Sequence, residues 1–333
     1  LFTVYTFEVT RILIFKELEK MNINMSDRIS WIDDAKMFAM FCVVFGHVSG
    51  LFSNKLVGFY PINTAIVSFN MPLFVFLSGY TASRSINKVE SFGSLWNYFK
   101  KVGLRILVPA LTFSSLAWLY TMDFEYFKGS TWFLNMLFRA LLLFACSHLI
   151  VGFLPMKHSR NLVKYMLFML LMYYASKKYT SEFSSYFLLG YIAKEHGLVE
   201  RLALLPCWGK QILVVVLLCI GVVGGGVLWQ GKYDFYAYSV RDLISTGDFI
   251  FYLMRQFIAD AWIFFFIVVI PIVSKHYTIF SYYGSKTLGI YLLHGFIILA
   301  VLKPNVSFTM YDGWYLWFGV LLLAIVLTMC CLW

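Results

Sequence analysis

Trp31-Ile32-Asp33-Asp34-Ala35-Lys36-Met37-Phe38-Ala39-Met40-Phe41-Cys42-Val43-Val44-Phe45-Gly46-His47 sets three charges at the head of a long uncharged run and one imidazole deep inside it. The apolar stretch, about 37–54, is near the ~20 residues that a membrane-spanning helix needs. Lys36 and His47 are eleven residues apart, which is about 16 Å along a helix and within about 20° of the same face. The spacing therefore predicts that Lys36 lies at the membrane boundary and His47 near the midplane on one helix side, with Asp33 sharing that side at i, i+3 to Lys36. A polar ring at such depth faces a bundle interior or a wet cavity. Its uses divide between a hydrogen bond to a neighbouring helix and a functional role.

The rest of the chain has the same character. Of 333 residues, 61% are hydrophobic, 20% aromatic and only 13% charged, where soluble domains are about 25% charged. Apolar stretches near spanning length fall at about 37–54, 62–81, 104–121, 131–154, 162–176, 183–197, 210–229, 256–274, 286–303 and 314–333. The expected fold is all-α, a polytopic integral membrane bundle of about ten transmembrane helices. The fifth and sixth stretches are short, and are the ones to tilt little or pair as a hairpin. Residues 1–27 read as an N-terminal extension and 28–333 as one transmembrane domain.

The net charge of +10 would suggest nucleic acid in a soluble protein. Here the cations lie between apolar runs, where they orient the chain at anionic lipid, so membrane lipids are the expected partner and nucleic acid is not. With the N-terminus inside, eighteen of the 27 lysines and arginines fall on the inner side, eight on the outer side, and Arg139 within a span. That bias predicts a plasma (inner) membrane protein with a cytoplasmic N-terminus. The six cysteines form no C-x-x-C pair, and neither a metal site nor a disulfide framework is expected.

Several phrases along the chain resemble the membrane acyltransferase-3 family. Asp33-x-x-Lys36 followed by Val43-Val44-Phe45-Gly46-His47 is similar to its opening signature of a basic residue, ten intervening residues and a histidine. Met71-Pro72-Leu73-Phe74-Val75-Phe76-Leu77-Ser78-Gly79-Tyr80 resembles its second-span phrase. Lys100-Lys101 through Arg105-Ile106-Leu107-Val108-Pro109 resembles the basic mouth of its third span, and Trp132-Phe133-Leu134 its "WFL" phrase. Ser285 with Tyr291-Leu292-Leu293-His294 resembles its late "S…YLLH" phrase. The wording is nearest the branch that includes fucose 4-O-acetylases and polysaccharide O-acetyltransferases. Lys36 stands where many relatives have arginine, and Lys101-x-x-x-Arg105 replaces a tighter arginine pair.

The resemblance implies an O-acetyltransferase that takes acetyl from cytoplasmic acetyl-CoA and esterifies a hydroxyl of a surface glycan or its lipid-linked precursor. It implies His47, with Lys36 and Asp33, as the catalytic group. The histidine would be either a general base or a covalent acetyl carrier. Lys100, Lys101 and Arg105 would hold the coenzyme A phosphates, although on charge alone a lipid-facing anchor is the commoner use of such a cluster. Ser78, Trp132, Tyr291 and His294 would contact substrate. The Ser78-Gly79 step also suits close helix packing alone. A glycan or lipid transporter with His47 and Lys36 along its path is the alternative, but neither repeats nor broken half-helices favour it.

Overall fold

The computed structural model describes residues 30–53, 56, 58–122, 131–155, 159–175, 182–228, 249–274, 283–284, 286–302 and 315–332. Among these, regular structure is helical throughout: α1 (Ser30–Leu51), α2 (Phe59–Ile86), α3 (Phe92–Thr121), α4 (Trp132–Gly152), α5 (Arg160–Ala175), α6 (Phe183–Glu195), α7 (Leu198–Ala203), α8 (Cys207–Gly221), α9 (Phe249–Ser274), α10 (Thr287–Phe296) and α11 (Tyr315–Cys330). Two of these helices widen into π-helical turns, α8 over Val222–Leu228 and α10 over Ile297–Leu302. Residues 1–29, the proposed extension included, and Ser285 lie outside the described residues.

Six helices among the described residues are long and apolar enough to cross a membrane: Ser30–Leu51, Pro61–Ile86, Phe92–Tyr120, Trp132–Gly152, Cys207–Gly225 and Tyr252–Ser274. The other four expected spans also carry helix but are shorter. α6 has 13 residues, about 20 Å of rise against a hydrocarbon core of about 30 Å. It tolerates that length because it is enclosed by protein, with Phe183, Ser184, Tyr186, Phe187, Gly190, Tyr191 and Ala193 all buried.

α2 is the hub, with α1, α4, α6, α9 and the π segment of α8 packed on it. Its closest partner is α6, and two glycines make the approach possible. A Cβ at Gly79 would overlap the backbone carbonyl of Phe187, and a Cβ at Gly190 would overlap that of Phe76. Of the two readings of the Ser78-Gly79 step, close packing is the one at Gly79. On its other side α6 meets α4, where Phe144 stands against Phe187 and Tyr191 with ring centres 5.7 and 4.4 Å apart.

Helix ends are set by local chemistry. Ser91 and Ser94 form a reciprocal capping box at the start of α3, each satisfying a backbone N–H that the first turn leaves free. Gly197, at φ 60°, turns the chain from α6 into α7, a left-handed conformation that glycine adopts without Cβ strain. Pro72, Pro109 and Pro271 sit inside α2, α3 and α9, as proline does in membrane helices whose neighbours re-satisfy the freed carbonyls.

Buried charges lock helix pairs. Asp34 at the start of α1 accepts a hydrogen bond from Ser274 at the end of α9. Glu182, just before α6, pairs with Arg255 of α9, the two side chains only 3% and 2% exposed. Arg255 also lies under the Tyr252 ring at 5.6 Å. Sequence counting treats Arg255 as an outer-side orientation cation, whereas the fold places it inside α9. Lys164, counted on the inner side, is likewise buried in α5, bonded to Tyr191 and Glu195 of α6 at 3.3 and 3.4 Å.

Candidate active site

A cavity of about 360 Å³ opens between α1, α2, α3, α4 and α10, within the usual range for a small-molecule site. On α2 its wall runs from Ser85 to Phe74, eleven residues and so about 16 Å. It is a long slot rather than a bowl. One end is charged: Asp33 and Lys36 come from α1, and Lys101 and Arg105, one helical turn apart, from α3. The other end is aromatic, lined by Phe74, Phe133 and Tyr291, with the Tyr291 and Phe133 ring centres 5.4 Å apart.

Ser78, Thr81 and Ser85 form a hydroxyl stripe along the slot, spaced at i, i+3 and i+7 and hence on one face of α2. Each donates its proton to the helix backbone: Ser78 to Phe74 O at 2.8 Å, Thr81 to Leu77 O at 2.9 Å, Ser85 to Ala82 O at 2.9 Å. The oxygens therefore face the slot as acceptors. Ser85 also meets the hydroxyl of buried Tyr98. The expected site residues do not include Thr81, Ser85 or Tyr98. The i, i+3, i+7 spacing was the signal for the first two, legible once the face of α2 turned toward α3 is known.

His47 does not line the slot. It stands eleven residues beyond Lys36 on α1, exposed, with its ring centre 5.4 Å from that of His294. His294 is buried at 3% exposure, and its ring lies 5.7 Å from Tyr291, which does line the slot. Charged mouth, hydroxyl wall, aromatic end and histidine pair thus follow in order. Lys36, Asp33, Lys101, Arg105, Ser78 and Tyr291 meet at the cavity, and His294 joins His47 behind its aromatic end.

Two expected residues lie elsewhere. Lys100 is exposed and held over the Trp96 ring at 5.2 Å, pointing off the slot. Trp132 is half-buried against Phe183 of α6, ring centres 5.7 Å apart. Among the described residues no group of three or more His, Cys, Asp or Glu side chains could hold a metal ion.

No curated protein and no solved structure matches the chain. The family model of the acyltransferase domain, Acyl_transf_3, matches residues 29–333. That match takes in every described helix and every wall of the slot, and the chain belongs to the acyltransferase-3 family.

Proposed function

We propose that the protein transfers acetyl from acetyl-CoA to a hydroxyl of a cell-surface glycan or its lipid-linked precursor, as the fucose 4-O-acetylase-like branch of the family does. The observation that carries the reading is the polarity of the slot, cationic at one end, apolar and aromatic at the other, with a histidine pair behind the aromatic end. Lys36, Lys101 and Arg105 suit the phosphates of coenzyme A, which charge-assisted contacts hold at the mouth. The length of the slot suits the pantetheine arm, and the acceptor oxygens of Ser78 and Thr81 suit its amide N–H groups. The thioester then reaches the Tyr291 end. Carrying only the neutral acetyl group inward avoids burying the phosphates in lipid.

In this reaction His47 takes the proton of the sugar hydroxyl, the new C–O ester bond forms, the C–S bond breaks, and the proton leaves on the coenzyme A thiolate. The excess of lysine and arginine on the Lys36 side supports a cytoplasmic mouth, where acetyl-CoA is made. The exposed His47 ring is the group offered to the acceptor.

The test is incubation of the purified protein with radiolabelled acetyl-CoA and candidate glycans. Label should appear in the glycan with the parent protein and be lost with His47→Ala and His47→Gln, both still folded. Acetylation at parental level in either variant refutes the role of His47, and label carried across vesicles without esterification refutes the enzyme.

A further inference from the structure

We propose that His294 is a positioning residue for His47: its Nε2 accepts a hydrogen bond from the His47 ring N–H and so aims the other His47 nitrogen, as proton acceptor, at the sugar hydroxyl. The inference rests on the acyl-transfer reading above and adds the residue that orients its base. It begins from the Nδ1 atom of His294, which lies 2.9 Å from the carbonyl oxygen of Ile290, one turn back on α10. A carbonyl only accepts, so Nδ1 carries the hydrogen and the neutral ring presents Nε2 as a lone pair.

The His294 ring is only 3% exposed, which limits the groups that can reach that lone pair. His47 is placed to supply the donor. The two ring centres are 5.4 Å apart at 45°. Two imidazoles joined edge to edge by one N–H···N bond have centres about 5 Å apart, given a donor–acceptor distance of about 3 Å. The observed 5.4 Å separation is close to that value.

The consequence is chemical. Once one His47 nitrogen donates to His294, the other is fixed as the unprotonated one, the tautomer that a general base requires. When His47 accepts the hydroxyl proton, its positive charge keeps a hydrogen-bond acceptor beside it. The logic is that of a base oriented by a third group, with a neutral imidazole anchored to its own helix backbone in the place of a carboxylate. His294 itself exchanges no proton and touches no substrate.

The experiment uses the full chain in membranes of cells that lack their own copy, which carry the native glycan acceptor. Radiolabelled acetyl-CoA is varied and rates are normalised to folded protein. His294→Leu removes the acceptor, and kcat should fall by about 10²–10⁴-fold with KM for acetyl-CoA within about threefold of the parent. His294→Gln, whose side-chain oxygen can accept the same bond, should regain at least about tenfold over His294→Leu. If His294→Leu does not fold, His294→Met fills similar volume without a strong acceptor and replaces it. Parental kcat in the Leu or Met variant overturns the proposal, as does equal loss in Gln and Leu, or an effect confined to KM. A parent chain that transfers no acetyl overturns instead the acyl-transfer reading on which the proposal stands.

Discussion

Replacing Gly79 by alanine tests the joint that holds the slot's hydroxyl wall in place. The added methyl would fall on the Phe187 carbonyl, in the middle of α6 and part of its backbone. No side-chain rotation relieves that overlap, so α2 and α6 must part. Overpacking of this kind costs about 1–3 kcal/mol, a drop of roughly five- to 150-fold in the folded-to-unfolded ratio. Gly190→Ala meets the Phe76 carbonyl across the same joint and should cost a similar amount. The double variant should cost less than the two together, because the separation that admits one methyl already admits the other. Gly289→Ala and Gly319→Ala meet nothing within 4 Å and should leave stability unchanged or raise it by up to about 1 kcal/mol. The assay is unfolding of detergent-purified protein followed by tryptophan fluorescence, with size exclusion to confirm the folded state. Gly79→Ala as stable as the parent, or single-variant costs that simply add, would refute a shared backbone crossing.

Three further outcomes follow from the geometry. Arg105→Ala should raise KM for acetyl-CoA by about ten- to a hundred-fold, from loss of one charge-assisted phosphate contact worth about 1.5–3 kcal/mol, with acceptor affinity little changed. Donor titration checks this, and an unchanged KM returns Arg105 to a lipid-facing role; Lys100→Ala, off the slot, should change KM far less. Arg255→Met alone should destabilise the protein by about 3–5 kcal/mol by stranding Glu182, whereas the Glu182→Leu/Arg255→Met pair should recover most of that; equal loss in single and double variants contradicts the pairing. A cysteine placed at residue 92 should react with impermeant thiol reagent only after the cytoplasmic face is opened, and labelling of intact cells there would reverse the assigned orientation.

Helix positions were legible because apolar run length is a one-dimensional signal: each expected span carries helix. What the sequence hid was enclosure. α6 is too short to be read with assurance as a span, and only its burial against α2 explains why 13 residues suffice. Arg255 and Lys164 read as orientation charges because nothing local says that Glu182 or Glu195 will come to meet them. In the site, Lys36 and Arg105 were legible from family phrases and both reach the slot. Lys100 did not separate from its neighbour Lys101 until the face of α3 was known, since adjacent helical residues differ by about 100°. Helical periodicity placed His47 on the side of Lys36, but the ring that meets it is His294, 247 residues away in the chain, beyond the reach of any spacing argument.

The Glu182–Arg255 pair also sets a problem of timing. Arg255 follows Glu182 by 73 residues, so a ribosome adding about 5–20 residues per second delivers the arginine some 4–15 s after the carboxylate. During that interval Glu182 lacks its Arg255 partner, and the adjoining α6 is too short to span the hydrocarbon alone. The carboxylate must wait in water or at the headgroup layer until α9 arrives. Insertion of α6 and closure of the bundle therefore belong to one late step of biosynthesis, and a truncated nascent chain ending before residue 255 should leave α6 accessible where the finished protein protects it.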